Sequence, residues 1–370
     1  MASPLSFPAD DPLGAGFLAA VDEVLSGFLE TRRAGLAAID AGLTEVADIA
    51  AETLAGGKRL RAAFAWWGAM AAGESGSPEL LRAVASLEVL HAGLLVHDDL
   101  IDQAATRRGR PAAHHRFAAQ AAAGEGDSFG LAGAVLLGAL LMGWANDLFE
   151  ASGLPSRRLA QGRPLLAAMR NEVLAGQLLD SRAQHHLPLW QPGSSRQDPP
   201  LDAAGRASHV IIFKTALYTV ARPLEFGARL GGASPGLLKA LRGIGVPLGR
   251  AFQLRDDLLD VFGDVALTGK ETGGDLREGK ETLLVAHALG HAAPAQAATL
   301  QAVLGNAAAS PRQIAAARRV LVATGARQAV ETHVEEEYER AMARLTAAPV
   351  TAVARDGLAR LAHACVVRDH

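Results

Sequence analysis

One acidic pattern occurs twice in the chain, as Asp98-Asp99-Leu100-Ile101-Asp102 and as Asp256-Asp257-Leu258-Leu259-Asp260. Each copy lies in an apolar stretch with helical spacing, and few folds tolerate that. On a helix the first and last carboxylates of each copy stand one turn apart on the same face, where like charges repel. Flanking Leu, Ile and Val raise the cost further, because a carboxylate cluster in apolar surroundings must have cations gathered to it. Hard oxygen ligands without a nearby cysteine suit Mg²⁺, which keeps some of its water and is shared with phosphate oxygens. A solvated acidic helix face is the bland alternative. Two copies, each inside an apolar helix, favour the metal.

Both copies follow a Ser-Pro helix start at nearly the same distance. Ser77-Pro78-Glu79 leads through Leu80, Leu81, Val84, Leu87, Leu90 and Leu94, and Ser234-Pro235 leads through Leu237, Leu238, Leu241 and Ile244. Ser310-Pro311 reads as a third start. The echo predicts two facing helices of one bundle that bring acids to one cavity. Pro247 should kink or interrupt the second helix. Strand alternation is nearly absent, and Val210-Ile211-Ile212-Phe213 is the one apolar β-branched patch. The fold class expected is all-α, a single large helical bundle around a central cavity.

Composition agrees and excludes other classes. The chain has 370 residues, is 49% hydrophobic and only 5% aromatic, and carries 39 acidic against 36 basic residues. It is too apolar for a disordered chain and lacks the basic excess of a nucleic-acid binder. One cysteine, Cys365, rules out a disulfide scaffold. The longest apolar run, Leu131–Ala145, is shorter than the roughly 20 residues that a transmembrane segment needs, and it reads as a buried helix. Residues 1–16 read as a loose arm without the features of a signal peptide, and residues 17–370 as one domain in a cytoplasmic protein. The Pro-rich stretch Pro188–Pro200 reads as a surface loop, and Phe262–Gly279, with five glycines, as a second loop.

Basic residues flank the acids. Gly56-Gly57-Lys58-Arg59-Leu60-Arg61 places three cations behind a glycine pair, and Thr106-Arg107-Arg108-Gly109-Arg110-Pro111 follows the first acidic copy. Lys214-Thr215, Lys270 and Lys280 lie in the second half. Guanidinium forks and ammonium groups beside Mg-binding carboxylates suit a diphosphate. Other motifs are weaker. Gly274 to Lys280 mimics a phosphate loop, but Glu281 replaces the needed Ser/Thr and no strand precedes it. Glu88-x-x-His91 resembles half of a di-iron site and has no second half. His114-His115 and His185-His186 read as surface residues, and Cys365 as an ordinary thiol.

From about Gly56 to Thr282 the sequence resembles the trans-isoprenyl diphosphate synthases of the polyprenyl synthetase family. The glycine-glycine-lysine-arginine-x-arginine run, both acidic copies, the arginine pair, Lys-Thr and Gly-Asp-x-x-x-Gly-Lys occur in the family order. The resemblance implies that Asp98, Asp102 and Asp256 hold about three Mg²⁺ ions on an allylic diphosphate, supported by Asp99, Asp257 and Asp260. It assigns Arg107, Lys214 and Lys270 to that same diphosphate. Lys58, Arg61, His91 and Arg108 would take the diphosphate of isopentenyl diphosphate. Gln177, Asp180, Gln253 and Lys280 match further substrate-binding positions, and Thr215 would sit beside the forming cation.

The implied reaction is ionisation of the allylic C–O bond, attack by the double bond of isopentenyl diphosphate and loss of a proton to released diphosphate. In the family, aromatics at the positions matching Gly93 and Leu94 stop growth at fifteen carbons. Here neither is aromatic, and Gly93 would leave a gap in the wall formed with Leu94 and Leu90. That points to geranylgeranyl diphosphate, with farnesyl or longer products as alternatives. Floor residues such as Trp144 or Phe149 could still close the cavity. A class I terpene cyclase or a non-catalytic partner subunit would be the readings of another class, and the intact second acidic copy argues against both. The resemblance also implies a homodimer. Ala139, where many members carry Asp, and Glu281, which could pair with Lys280, depart from the pattern.

Overall fold

The computed structural model describes residues 5–263 and 272–367. In chain order come α1 (Ala15–Ile39), α2 (Thr44–Leu54), α3 (Leu60–Ala71), α4 (Pro78–Ile101), α5 (Ala113–Ala118), α6 (Gly126–Glu150) and α7 (Ser156–Gln184). They are followed by α8 (Ala203–Val210), a π-helical stretch Ile211–Ala221, α9 (Arg222–Leu230) and α10 (Pro235–Phe262). The last helices are α11 (Gly274–Glu278), α12 (Leu283–His291), α13 (Pro294–Gln301), α14 (Pro311–Ala323), α15 (Ala326–Ala347) and α16 (Ala352–Val366). Among the described residues the only strands are β1 (Thr106–Arg107) and β2 (Arg110–Pro111), an antiparallel pair. The fold is all-α, as expected. Its packing divides the chain into two compact units interleaved in sequence. The first holds Met1–Ala167, Pro223–Leu238 and Pro349–Leu361, and the second Ala168–Arg222, Lys239–Ala348 and Ala362–His370.

All three Ser-Pro starts begin helices. Ser77 Oγ accepts from Leu80 N at 3.2 Å, and Ser234 Oγ accepts from Leu237 N at 3.2 Å. Ser310 forms a capping box with Gln313. Each such cap contributes about 1 kcal/mol.

The centre of the first unit is α4, whose Leu80, Val84, Leu87 and Leu90 are fully enclosed. It packs most extensively on α6. The reading of Leu131–Ala145 as a buried helix needs correction, because α6 has two faces. Leu137, Leu141 and Phe149 are buried, while Leu131, Val135 and Leu136 stand 54%, 46% and 63% exposed. By length and composition alone α4 and α6 could each cross a membrane, but most of the α4 window is buried inside the protein. The described part of the N-terminal arm is anchored, with the Phe7 ring 5.1 Å from Phe17 and 5.0 Å from Trp66.

In the second unit, α10 continues through Pro247, where the sequence predicts a kink or an interruption. Proline has no N–H to give to the Gly243 carbonyl one turn back. Arg344 of α15 supplies that hydrogen bond instead, its Nη1 donating to Gly243 O at 2.6 Å. The β-branched patch at Val210–Phe213 is helical and leads into the π-helical stretch. The loop at Pro188–Pro200 closes on itself: Leu201 N donates to Leu189 O at 2.7 Å, and Trp190 Nε1 to Asp198 O at 3.0 Å. Within the expected loop Phe262–Gly279, the short helix α11 forms.

Candidate active site

In the first unit the acidic copy ends α4, with Asp102 as its C-cap. Asp99 is buried at 4% exposure, and its charge is met at once. Arg107 Nε donates to Asp99 Oδ1 at 2.9 Å and to Oδ2 at 3.1 Å, and Nη2 donates to the same carboxylate. Burial works against the Arg107 charge. Hydrogen bonding to Asp99 and the charges of Asp99, Asp98 and Asp102 outweigh it, so the guanidinium pKa rises.

The turn that delivers Arg107 is a two-residue hairpin. Arg107 pairs with Arg110, and the turn residues Arg108 and Gly109 have φ of 53° and 73°, the signature of a type I′ turn. Arg108 is thereby aimed back at the end of α2, where its Nη1 donates to Ala55 O at 2.5 Å and to Gly56 O at 3.3 Å. A Cβ on Gly57 would lie 2.9 Å from Arg108 Nη2, the movable tip of that side chain, and the φ of 94° at Gly57 is what favours glycine there. A cavity of about 260 Å³ opens here, lined among others by Gly56, Asp99, Arg107, Arg108, Arg110 and Arg116. His91, two turns before Asp98, is held neutral. Burial lowers its pKa well below the usual imidazole value, and Arg61, Arg108, Arg107 and Arg59 push the same way.

Gly93 corrects the expectation of a gap. A Cβ there would meet Gly138 O at 2.8 Å, Leu141 Cβ at 3.1 Å and Met142 Cγ at 3.3 Å. Its missing side chain is therefore space already filled by α6. Opposite it, Gly138 makes room for the His97 ring, whose Nε2 lies 3.1 Å from Val135 O. Leu90 is buried and Leu94 half-buried. Phe149 packs on Phe226 with ring centroids 5.4 Å apart, and Trp144 is buried too.

In the second unit Asp256 is exposed and Asp257 buried on α10. A hydrogen-bonded chain runs from the π-helical stretch to α10: Thr215 Oγ1 donates to Gln253 Oε1 at 2.6 Å, and Gln253 Nε2 to Asp257 Oδ1 at 2.6 Å. Lys214 Nζ donates to Asp180 Oδ2 of α7 at 2.6 Å. Gln177 Nε2 is buried without a hydrogen-bond partner among the described residues. Burial, then the charge of Asp275, raises the Asp257 pKa well above the ordinary carboxylate value, against the opposing hydrogen bond from Gln253. Burial and Asp275 likewise push Asp260 up to about 7. Asp275 N donates to Asp260 Oδ2 at 3.0 Å. Lys280 lies 3.1 Å from Asp275 and 2.5 Å from Glu278. Glu281 pairs with Arg206, accepting from its Nε at 2.8 Å and from Nη2. Lys270 lies outside the described residues.

The first unit thus gathers Arg61, His91, Asp98, Asp99, Asp102, Arg107 and Arg108, with Lys58 exposed on the turn before α3. The second gathers Asp180 with Lys214, and Thr215 with Gln253 and Asp257. Two side chains in the first unit carry weight that their sequence context hides. Glu88 accepts from Ala62 N, and Arg59 turns inward to 6% exposure. The only sequence signal for Arg59 is its place in the basic run that follows the glycine pair.

An all-α chain that sets clustered carboxylates among guanidinium and ammonium groups belongs to the class of helical proteins that handle diphosphates. The polyprenyl synthetase family model matches residues 44–321, and the chain belongs to that family. It is a prenyltransferase of the trans-prenyl diphosphate synthase type. A crystal structure of geranylgeranyl pyrophosphate synthase from Corynebacterium glutamicum, complexed with isoprenyl diphosphate and magnesium, is 38% identical. It superposes with a TM-score of 0.87 over 96% of this chain and 99% of that one. The octaprenyl diphosphate synthase of Escherichia coli is 31% identical over 317 residues, covering 85% of this chain and 87% of that protein. A short chain isoprenyl diphosphate synthase from Methanothermobacter thermautotrophicus is 28% identical over 335 residues, covering 88% of this chain and 93% of that protein.

Proposed function

We propose that this chain condenses isopentenyl diphosphate with allylic diphosphates and that geranylgeranyl diphosphate is its main product. The observation that carries the reading is the Arg107–Asp99 pair, set among Asp98, Asp102, Arg108, Arg61 and His91. Arg107 would grip the allylic diphosphate, while Lys58, Arg61 and Arg108 would hold that of isopentenyl diphosphate beside neutral His91. In the other unit Lys214 would take the allylic diphosphate, and Thr215, fixed by Gln253, would face the forming allylic cation. Guanidinium and ammonium groups placed in advance neutralise the charge that grows on the leaving diphosphate. Apolar residues such as Leu90 keep water from the cation.

The carboxylates fit Mg²⁺. Each acidic copy offers hard oxygen donors only, and burial and the charge of Asp275 raise the pKa values of Asp257 and Asp260, a burden that a divalent cation relieves. Asp98, Asp102 and Asp256 are the ligands we assign. When bound, Mg²⁺ supplies further positive charge to the diphosphate. Support for a twenty-carbon product is the lack of an aromatic at half-buried Leu94, together with the likeness to the Corynebacterium enzyme. The exposed apolar face of α6, with Leu131, Val135, Leu136 and Leu140, supports a homodimer. The test is incubation with isopentenyl diphosphate, Mg²⁺ and each allylic primer in turn, followed by sizing of the products. A twenty-carbon diphosphate from geranyl and farnesyl primers is expected. A cyclised hydrocarbon, or no turnover with any primer, would overturn the reading.

A further inference from the structure

We infer that Arg59 is a positioning residue: clamped by Asp22, the Leu54 carbonyl and Glu88, it presents Lys58 and Arg61 to the diphosphate of isopentenyl diphosphate. This rests on the proposed function. Three cations lie within four residues, and the structure gives them different directions. Lys58 is exposed, Arg61 sits in the first turn of α3, and Arg59 is buried.

The Arg59 backbone is left-handed, with φ 49° and ψ 34°, a conformation that a side-chain-bearing residue adopts only when its surroundings enforce it. What enforces it is the guanidinium. Nε and Nη2 donate to Asp22 Oδ1 at 2.9 and 2.7 Å, and Nη2 also donates to Leu54 O at 2.7 Å. Nη1 lies 3.8 Å from Glu88 Oε2. Its hydrogen bonds are thus spent on the protein.

Glu88 serves both sides of this junction. Its buried carboxylate needs a cation, and Arg59 is that cation. Its Oε1 accepts from Ala62 N at 3.1 Å, capping the first turn of α3 in which Arg61 lies. His91 follows three residues later on the same helix face. The clamp therefore ties the Lys58–Arg61 turn to the helix that carries His91 and Asp98. On its N-terminal side the turn runs through Gly56 and Gly57, both at positive φ (69° and 94°), where Arg108 donates to the Ala55 and Gly56 carbonyls. The clamp fixes the backbone from which Lys58 and Arg61 project.

The test compares Arg59→Gln, Arg59→Gly, Glu88→Gln and Asp22→Asn in the full chain. Thermal unfolding, calorimetric binding of isopentenyl diphosphate and inorganic diphosphate, and KM for each substrate are measured. Arg59→Gly suits the left-handed backbone, so it removes the guanidinium without adding strain. Glu88→Gln keeps an acceptor for Ala62 N and loses only the charge. All four should fold. Both Arg59 variants should raise KM for isopentenyl diphosphate about tenfold or more, with KM for the allylic substrate and kcat much less affected. Glu88→Gln and Asp22→Asn should shift it in the same direction by less. Folded Arg59 variants with both KM values unchanged, or raised equally, overturn the inference. Lys58→Gln separates the two levels. Unchanged diphosphate binding in Lys58→Gln overturns the site assignment and the clamp's purpose together. Lost binding in Lys58→Gln, with normal Arg59→Gly and Glu88→Gln, overturns the clamp alone.

Discussion

Replacing Gly93 tests whether this position is tunnel wall or helix contact. The alanine Cβ would stand 2.8 Å from the backbone oxygen of Gly138 and 3.1 Å from Leu141 Cβ. A comfortable carbon–oxygen contact is about 3.3 Å or more, so α6 must retreat by roughly half an ångström. The obstacle is backbone, which cannot swing aside as a side-chain tip can. Overpacking of this kind costs about 1–3 kcal/mol, and the gain from replacing glycine in a helix returns only about 0.5–1 kcal/mol. Gly93→Ala should therefore destabilise the protein by about 1 kcal/mol and leave product length alone. Gly93→Phe, with a whole ring at the α4–α6 contact, should give little folded protein. Urea unfolding followed by circular dichroism reads the first effect, and chromatography of products reads the second. An alanine variant at least as stable as the parent would show that the space exists. A folded phenylalanine variant with a shorter product would restore Gly93 as a chain-length determinant. Gly138→Ala provides the contrast. The atoms nearest its Cβ would be those of the His97 ring, 2.1 Å away, which can turn aside at the loss of its contact with Val135 O, about 1 kcal/mol. Leu94, half-buried on α4, is where an aromatic should shorten the product in a folded protein.

The remaining predictions concern α10, His91 and the acidic residues. Arg344→Ala should cost about 1 kcal/mol by baring the Gly243 carbonyl, and less in a Pro247→Ala background, where residue 247 regains its own N–H; chemical denaturation of the four proteins forms the cycle. Because His91 is held neutral, its contribution to stability is present above the unfolded histidine pKa of about 6.5 and is lost as pH falls below it. The melting temperature of His91→Gln should accordingly fall less between pH 7.5 and 5.5 than that of the parent, and equal slopes would count against the burial described. Asp257 has its pKa raised, so its charged form weighs on the metal-free fold increasingly as pH rises. Asp257→Asn should raise the metal-free melting temperature, more at pH 8 than at pH 5, while lowering turnover; an unchanged or lower melting temperature at pH 8 would refute it. Asp256→Asn should leave the metal-free melting temperature nearly unchanged and reduce the rise that Mg²⁺ produces, as differential scanning fluorimetry would show.

The sequence makes legible whatever is settled within one or two helical turns. Ser77, Ser234 and Ser310 begin helices because a hydroxyl three residues before a bare N–H is a local arrangement. The acidic copies stand on helices for an equally local reason, the period of the apolar residues around them. The uninterrupted course of α10 is different. Pro247 does remove a hydrogen bond, as its chemistry demands, but the replacement donor, Arg344, lies about a hundred residues further on. The reading of α6 as a buried helix fails in a related way. Leu131, Val135 and Leu136 are as apolar as Leu137 and Leu141, so composition alone cannot say which face the protein covers.

The candidate site divides along the same line. Which residues carry charge can be read from the motifs, but which of those charges are available to a ligand depends on partners far away in sequence. Lys58, Arg59 and Arg61 look equivalent on the page. Asp22 and Glu88, one on α1 and the other on α4, remove Arg59 from that set and turn it into a strut. Glu88 itself, beside His91 in a Glu-x-x-His spacing, invites a metal reading. What decides against that reading in the structure is the pair of groups it already serves, the Ala62 N–H and the Arg59 guanidinium. A buried carboxylate that caps one helix and neutralises the cation behind it has little left to offer a metal. If that is its role, Glu88→Gln should alter isopentenyl diphosphate binding and leave the response to Mg²⁺ unchanged. A loss of the Mg²⁺ response at unchanged isopentenyl diphosphate affinity would reverse the assignment.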